Sequence, residues 1–193
     1  MRGRSLLVVA GLAITGTVLA GTPATAAPID KGHFHDVSTS DVYTDCGFRA
    51  QDSFDVSGNF LFNQRGGTKH PFPYYRESVR GTVITTNLDT GGTYTSVFTA
   101  NSKDQTIVDN GDDTITITTF AAGGARYYDK DGKLVLKDPG EVRFAVDIKY
   151  MGTPGNPDDD QEVPDSFRLV RDSTGLNDTE GRDFCADLLE FTT

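Results

Sequence analysis

Apolar and polar residues alternate along much of this chain. Phe54, Val56, Gly58, Phe60 and Phe62 alternate with Ser53, Asp55, Ser57, Asn59 and Asn63, and Leu61 is the one break in the rhythm. Val142, Phe144, Val146, Ile148 and Tyr150 alternate in the same way with Glu141, Arg143, Asp147 and Lys149. Shorter versions occur at Ile115 and Ile117, Leu134 and Leu136, and Phe167 and Leu169. A period of two puts one set of side chains on one side of a pleated strand, so each run predicts a strand with one buried face. Stretches 74–88 and 93–101 are rich in Thr, Val, Tyr and Ile, which suit a pleated surface. Turn residues separate the runs at Asp89-Thr90-Gly91-Gly92, Asp109-Asn110-Gly111-Asp112, Asp129-Lys130-Asp131-Gly132 and Asp138-Pro139-Gly140. Asn-Gly and Asp-Gly steps accept positive φ at low cost and favour hairpins. The pattern predicts an all-β antiparallel meander of about eight to ten strands, closed as a barrel in preference to a sandwich. A polar loop, Gly152 to Pro164, interrupts it, and Phe184, Leu188 and Leu189 at helical spacing predict a short C-terminal helix.

The first residues follow a different plan. Arg2 and Arg4 precede an apolar stretch from Leu6 to Ala20, and Ala24-Thr25-Ala26 offers a small-residue cleavage site. This is the three-part pattern of a secretory signal peptide, too short in its apolar part for a comfortable membrane span. The reading is a leader over 1–26 and a single secreted, soluble domain over 27–193, with no membrane association after cleavage. Cys46 and Cys185 are the only cysteines. In an oxidising compartment they are expected to pair, and no C-x-x-C spacing points to metal or redox chemistry. The bridge would close most of the chain into one loop, worth about 5 kcal/mol at most in the chain-entropy model. The formal charge is −10, from 28 acids against 18 lysines and arginines. A chain this acidic is repelled by nucleic acid and by anionic membranes, and no basic patch is expected to oppose that.

Three segments carry a likeness to known sequences. They are the hairpin Asp109-Asn110-Gly111-Asp112-Asp113-Thr114-Ile115-Thr116-Ile117, the pair of runs Tyr128 to Leu134 and Asp138 to Phe144, and Asp183-Phe184-Cys185 near the end. In this order, with a His-containing segment before the first cysteine, the chain resembles a group of uncharacterised secreted β-rich proteins of actinobacteria. The resemblance implies a source and an extracellular compartment, and no catalytic residue.

Candidate chemistry is sparse. His33 and His35 flank Phe34, and on a strand both would share one face, where they could hold a metal ion if His70 or a carboxylate supplied a third ligand. The H-x-H pair is similar to that of cupin barrels, but the glutamate that should follow is missing. Asp129-Lys130-Asp131-Gly132 does not fit a calcium loop, because Tyr127 and Asp138 would occupy two of its ligand positions. Asp158-Asp159-Asp160 with Glu162 reads as solvated loop. No serine sits in a G-x-S-x-G elbow, and paired cysteines leave no free thiol. The aromatic set Phe72, Tyr74, Tyr75, Tyr94, Phe98, Tyr127 and Tyr128 reads as packing, and the chain has no Trp to build a sugar platform. No cofactor is expected. The leading functional reading is a secreted protein that holds a small apolar ligand in a barrel, against the inward residues Phe60, Phe62, Phe144, Val146, Ile148 and Phe167. The competing readings are a barrel-pocket enzyme of cyclase, isomerase or hydrolase type, marked by Tyr75, Arg76 or Glu77 turned inward, and an extracellular structural or interaction protein without a pocket.

Overall fold

The computed structural model describes residues 28–64 and 71–193. The leader pattern and His70 lie outside the described residues. Eight strands are formed: β1 (Asp30–Thr39), β2 (Ala50–Gln64), β3 (Pro73–Asn87), β4 (Thr93–Asp109), β5 (Thr114–Tyr128), β6 (Leu134–Lys149), β7 (Gln161–Glu162) and β8 (Arg168–Gly175). The chain then enters helix α1 (Phe184–Thr192). Strands β1 to β6 pair in chain order, each antiparallel to the next, and both β7 and β8 pair with the outer edge of β6.

Alternation does what the sequence implies. Phe54, Val56, Phe60 and Phe62 of β2 stand opposite Ser38, Asp36, Gly32 and Asp30 on one side and Val83, Gly81, Glu77 and Tyr75 on the other. Ile115 and Ile117 of β5 stand opposite Ile148 and Val146 of β6, and Thr119 stands opposite Phe144. Directly paired residues share a face, so one apolar face runs from β1 to β6. Three of the four expected turns are present, with Gly111 at φ 78° and Gly132 at φ 75° in two of them. A register shift between Asp104 and Thr106 in β4 adds one residue to that strand. It keeps Ile107 on the apolar face after the parity changes.

Two expectations need correction. The sheet is not closed, so the barrel does not form. Closure needs a full-length last strand to meet β1. Here the loop after β6 divides that strand into two residues of β7 and eight of β8, and β8 is exposed throughout. The fourth expected turn, Asp138-Pro139-Gly140, is the middle of β6, which merges two runs that the sequence presents as separate strands. Pro139 stands opposite Gly124. Its carbonyl lies against Gly175 of β8, so its polar backbone side faces away from β5 and the missing N–H costs the β5–β6 ladder nothing.

The helix covers one end of the apolar face. Ala50, Tyr94 and Leu188 form the buried centre there, with Phe48, Tyr127, Val135 and Phe191 packed around it. Tyr94 stacks on Tyr127 at 5.7 Å between ring centroids and on Phe191 at 5.5 Å. Asp183 caps the helix by accepting from the N–H of Ala186 at 2.9 Å. The N–H of Lys130 donates to the carbonyl of Phe191 at 3.0 Å, and the Asn87 amide donates to the Thr192 hydroxyl at 3.1 Å. The Cys46–Cys185 disulfide ties the helix to the β1–β2 connection across 139 residues of sequence.

Candidate functional site

The apolar face beyond the helix carries the apolar residues singled out by the alternation, at its two sides. Phe60 and Phe62 project from β2 and Phe144, Val146 and Ile148 from β6, all five half-buried on this one face. Phe167, in the connection before β8, approaches Phe144 at 5.3 Å but keeps 55% of its surface exposed. Between the two groups β4 and β5 contribute the small residues Ala100, Ser102 and Ala121. Two residues that the sequence reading did not select as ligand contacts, Phe34 and Phe98, share the face. Several rings lie over glycine on the neighbouring strand: Phe60 over Gly32, Phe34 over Gly58 and Phe98 over Gly81. With no Cβ to lift them, the rings pave the face. The result is a broad aromatic surface, half-buried along its length, open where α1 does not cover it.

Two polar groups stand directly beside the β2 aromatic residues. Tyr75 and Glu77 project from β3 onto it, Glu77 opposite Phe60 and Ser102, and Tyr75 opposite Phe62 with the two rings 4.8 Å apart. Arg76 lies on the other face and is exposed, so the three residues marked for catalysis are divided. Burial raises the Tyr75 phenol, and the negative charge of the neighbouring Glu77 raises it further. A phenol held protonated is a donor, not a base. Asp104, 5% exposed, sits beside this pair at the β4 bulge. It accepts from the Thr119 hydroxyl at 3.0 Å and from the N–H of Tyr75 at 2.8 Å. Its carboxylate therefore satisfies a backbone donor just beyond the last β3–β4 pair, Arg76 with Lys103. Asp104 follows Ala100 and Ser102 in the alternation and precedes the register shift, but an acid at an inward position of a polar run carries no local signature of burial.

The histidines fall on the opposite, polar face. His33 and His35 point the same way, as their spacing implies, but each is engaged by β2. His33 Nδ1 lies 3.2 Å from Asn59 Oδ1, and His35 Nε2 lies 2.8 Å from Asp55 Oδ1. Together with Ser57, Arg80 and Thr82 they line a shallow depression of about 500 Å³. The described residues contain no group of three or more His, Cys, Asp or Glu placed to hold a metal ion. Asp129 spends its carboxylate on its own turn, accepting from the N–H groups of Asp131 and Lys133. No helix among the described residues is long and apolar enough to cross a membrane.

Comparison with protein-family models, with curated proteins and with solved structures finds no match.

Proposed function

We propose that this chain is an exported binding protein whose aromatic sheet face takes up a small apolar ligand. The observation that carries the reading is that Phe60, Phe62, Phe144, Val146 and Ile148 all project from one face of the sheet, which α1 covers only at its far end. Aromatic surface exposed to water gains most by burial, at about 25 cal/mol for each Å² covered. Tyr75 and Glu77 supply a polar end point against which a ligand with one hydrogen-bonding group would orient. Export is supported by the leader pattern over 1–26 and by the Cys46–Cys185 bridge, which suits an oxidising compartment.

The test is titration of the oxidised mature protein with Nile red, a neutral apolar dye. Saturable emission at one dye per chain is expected, with affinity reduced at least tenfold in Phe144→Ser or Phe62→Ser variants that keep the wild-type circular dichroism. Emission that never saturates, or that both variants leave unchanged, would sink the reading.

A further inference from the structure

The polar face of the same sheet is more ordered than solvation requires. Every lysine and arginine within the eight strands falls on it. The pairing places Lys31, Arg80, Arg126, Lys137, Lys149 and Arg168 there. It also places four more cations in one straight row. Arg76 stands opposite Lys103, Lys103 opposite Phe120, Phe120 opposite Arg143, and Arg143 opposite Arg171. The strand acids that the register puts on this face are Asp55, Glu141 and Asp147. Asp52, Glu77, Asp104 and Asp138 turn to the other face. A chain with a net charge of −10 thus collects its strand cations on one side. These residues are scattered through the sequence, so the absence of a basic run there concealed a basic surface.

The row is costly to the fold. Like charges directly opposite on neighbouring strands are destabilising, and the row contains two such pairs, Arg76 with Lys103 and Arg143 with Arg171. Compensation is slight. Glu141 reaches Arg171 only at 3.9 Å, and Lys103 and Arg143 stand 5.7 and 5.8 Å from the centre of the Phe120 ring that separates them. Among the described residues Arg76, Lys103 and Arg143 have no ion-pair partner, and Arg143 Nε is buried without a hydrogen-bond partner. Arg76, Lys103 and Arg171 are exposed. Two pairs of cations at one level, about 4.8 Å apart within each pair and separated by the strand that carries Phe120, are complementary to a chain of anions lying across the strands.

We propose that this face binds a linear acidic polysaccharide, with Arg76, Lys103, Arg143 and Arg171 contacting its successive anionic groups. The row from β3 to β8 spans about 19 Å, four inter-strand steps. Nucleic acid fits less well. A duplex presents about one charge for every 1.7 Å of its axis, far denser than four cations over about 19 Å. A single strand is also held by aromatic stacking, whereas Phe120, the one ring in the row, is half-buried between two cations.

The experiment uses the oxidised mature protein and three probes in parallel: polygalacturonate, heparin and single-stranded DNA of equal length, titrated calorimetrically at several salt concentrations. Binding to polygalacturonate, to heparin or to both is expected, weakening as salt rises. A Lys103→Gln/Arg171→Gln variant should bind at least tenfold more weakly, with the salt slope reduced by about two, one for each cation removed. Lys130→Gln, in the β5–β6 turn, should bind as wild type. The double variant should also melt at least as high as wild type in low salt, since it removes one member of each like-charged pair. That second readout separates lost binding from lost folding. Tighter binding of DNA than of either polysaccharide would overturn the ligand class. Equal binding by the double variant, or no binding to any probe, would overturn the site. Neither result bears on Nile red, which is uncharged and tests the other face.

Discussion

Leu188 and Leu189 are neighbours in sequence with opposite fates. Leu188 is 0% exposed and sits between Ala50 and Tyr94, whereas Leu189 is 50% exposed on the outer side of α1. Truncating Leu188 to Ala removes three carbons from a closed site and leaves a cavity that stacked Tyr94, Tyr127 and Phe191 are poorly able to fill. Such changes cost about 2–5 kcal/mol. Truncating Leu189 removes surface that water already wets, and the cost is expected within about 0.5 kcal/mol. With a urea m-value of about 2 kcal/mol/M for a domain of this size, Leu188→Ala should lower the midpoint by about 1–2.5 M, and Leu189→Ala by about 0.25 M at most. The assay is urea denaturation of the oxidised protein followed by far-ultraviolet circular dichroism, with m required to stay constant. Equal shifts for the two variants, or a larger one for Leu189, would show that α1 docks by another face. The stack over the end of the sheet would then be wrong.

Four further outcomes are expected. Replacing both Cys46 and Cys185 by Ser opens a loop of 139 residues and should cost up to about 5 kcal/mol, read from the same urea midpoint in wild type and variant. Gly58→Ala places a methyl group where the Phe34 ring and the Ser78 carbonyl already lie, so it should lower the melting temperature. Gly47→Ala faces open space at φ 80° and serves as the comparison that carries backbone strain alone. The Asp160 carboxyl is pushed up to about 6 by burial and then by Asp159, so its carbon resonance should titrate near pH 6. Because the unfolded chain loses this proton first, near pH 3.8, this group's contribution to stability falls as pH rises from about 4 to 6, and Asp160→Asn should abolish that component. The Tyr43 phenol is raised to about 12 by burial and by Asp52, so its ultraviolet titration should lag behind that of free tyrosine, and stability should fall as pH climbs from about 10 towards 12.

The legible part of the fold was the part set by local alternation. Strand identity, three turns, the C-terminal helix and the disulfide all follow from residues near one another or, for the cysteines, from having a single possible partner. The open edge was not legible. Whether a meander closes depends on the length of its last strand, and Phe167 and Leu169 show only that a strand is present, not that a loop has shortened it. Pro139 misled for a physical reason. An Asp-Pro-Gly step turns the chain when its polar backbone groups face nothing, but here they face β8 across Gly175, a relation between residues 36 apart that no local rule contains. The apolar residues of the candidate site were found because burial imposes a period. Asp104 and the cationic row were not found, because the row is assembled from register: Arg76, Lys103, Arg143 and Arg171 lie on four strands with no common spacing.

An open sheet also changes what the two faces can do together. In a closed barrel the aromatic surface would be an interior, reached only through the ends, and the cationic surface would wrap around it. In this sheet the two are opposite sides of one layer. Side chains alternate along each strand, so Phe60 and Leu61, or Glu77 and Arg76, project in opposite directions from adjacent backbone positions. A polymer lying on Arg76, Lys103, Arg143 and Arg171 therefore cannot cover Phe60, Phe62 or Phe144, and a ligand on those rings cannot displace the polymer. Saturating one face should leave the affinity of the other within about twofold, since the only coupling left is through the strands themselves and the screened charge of the bound polymer. Mutual exclusion of Nile red and polygalacturonate would mean that both lie on the same side. That is incompatible with the register that pairs Phe60 with Glu77 and Arg76 with Lys103.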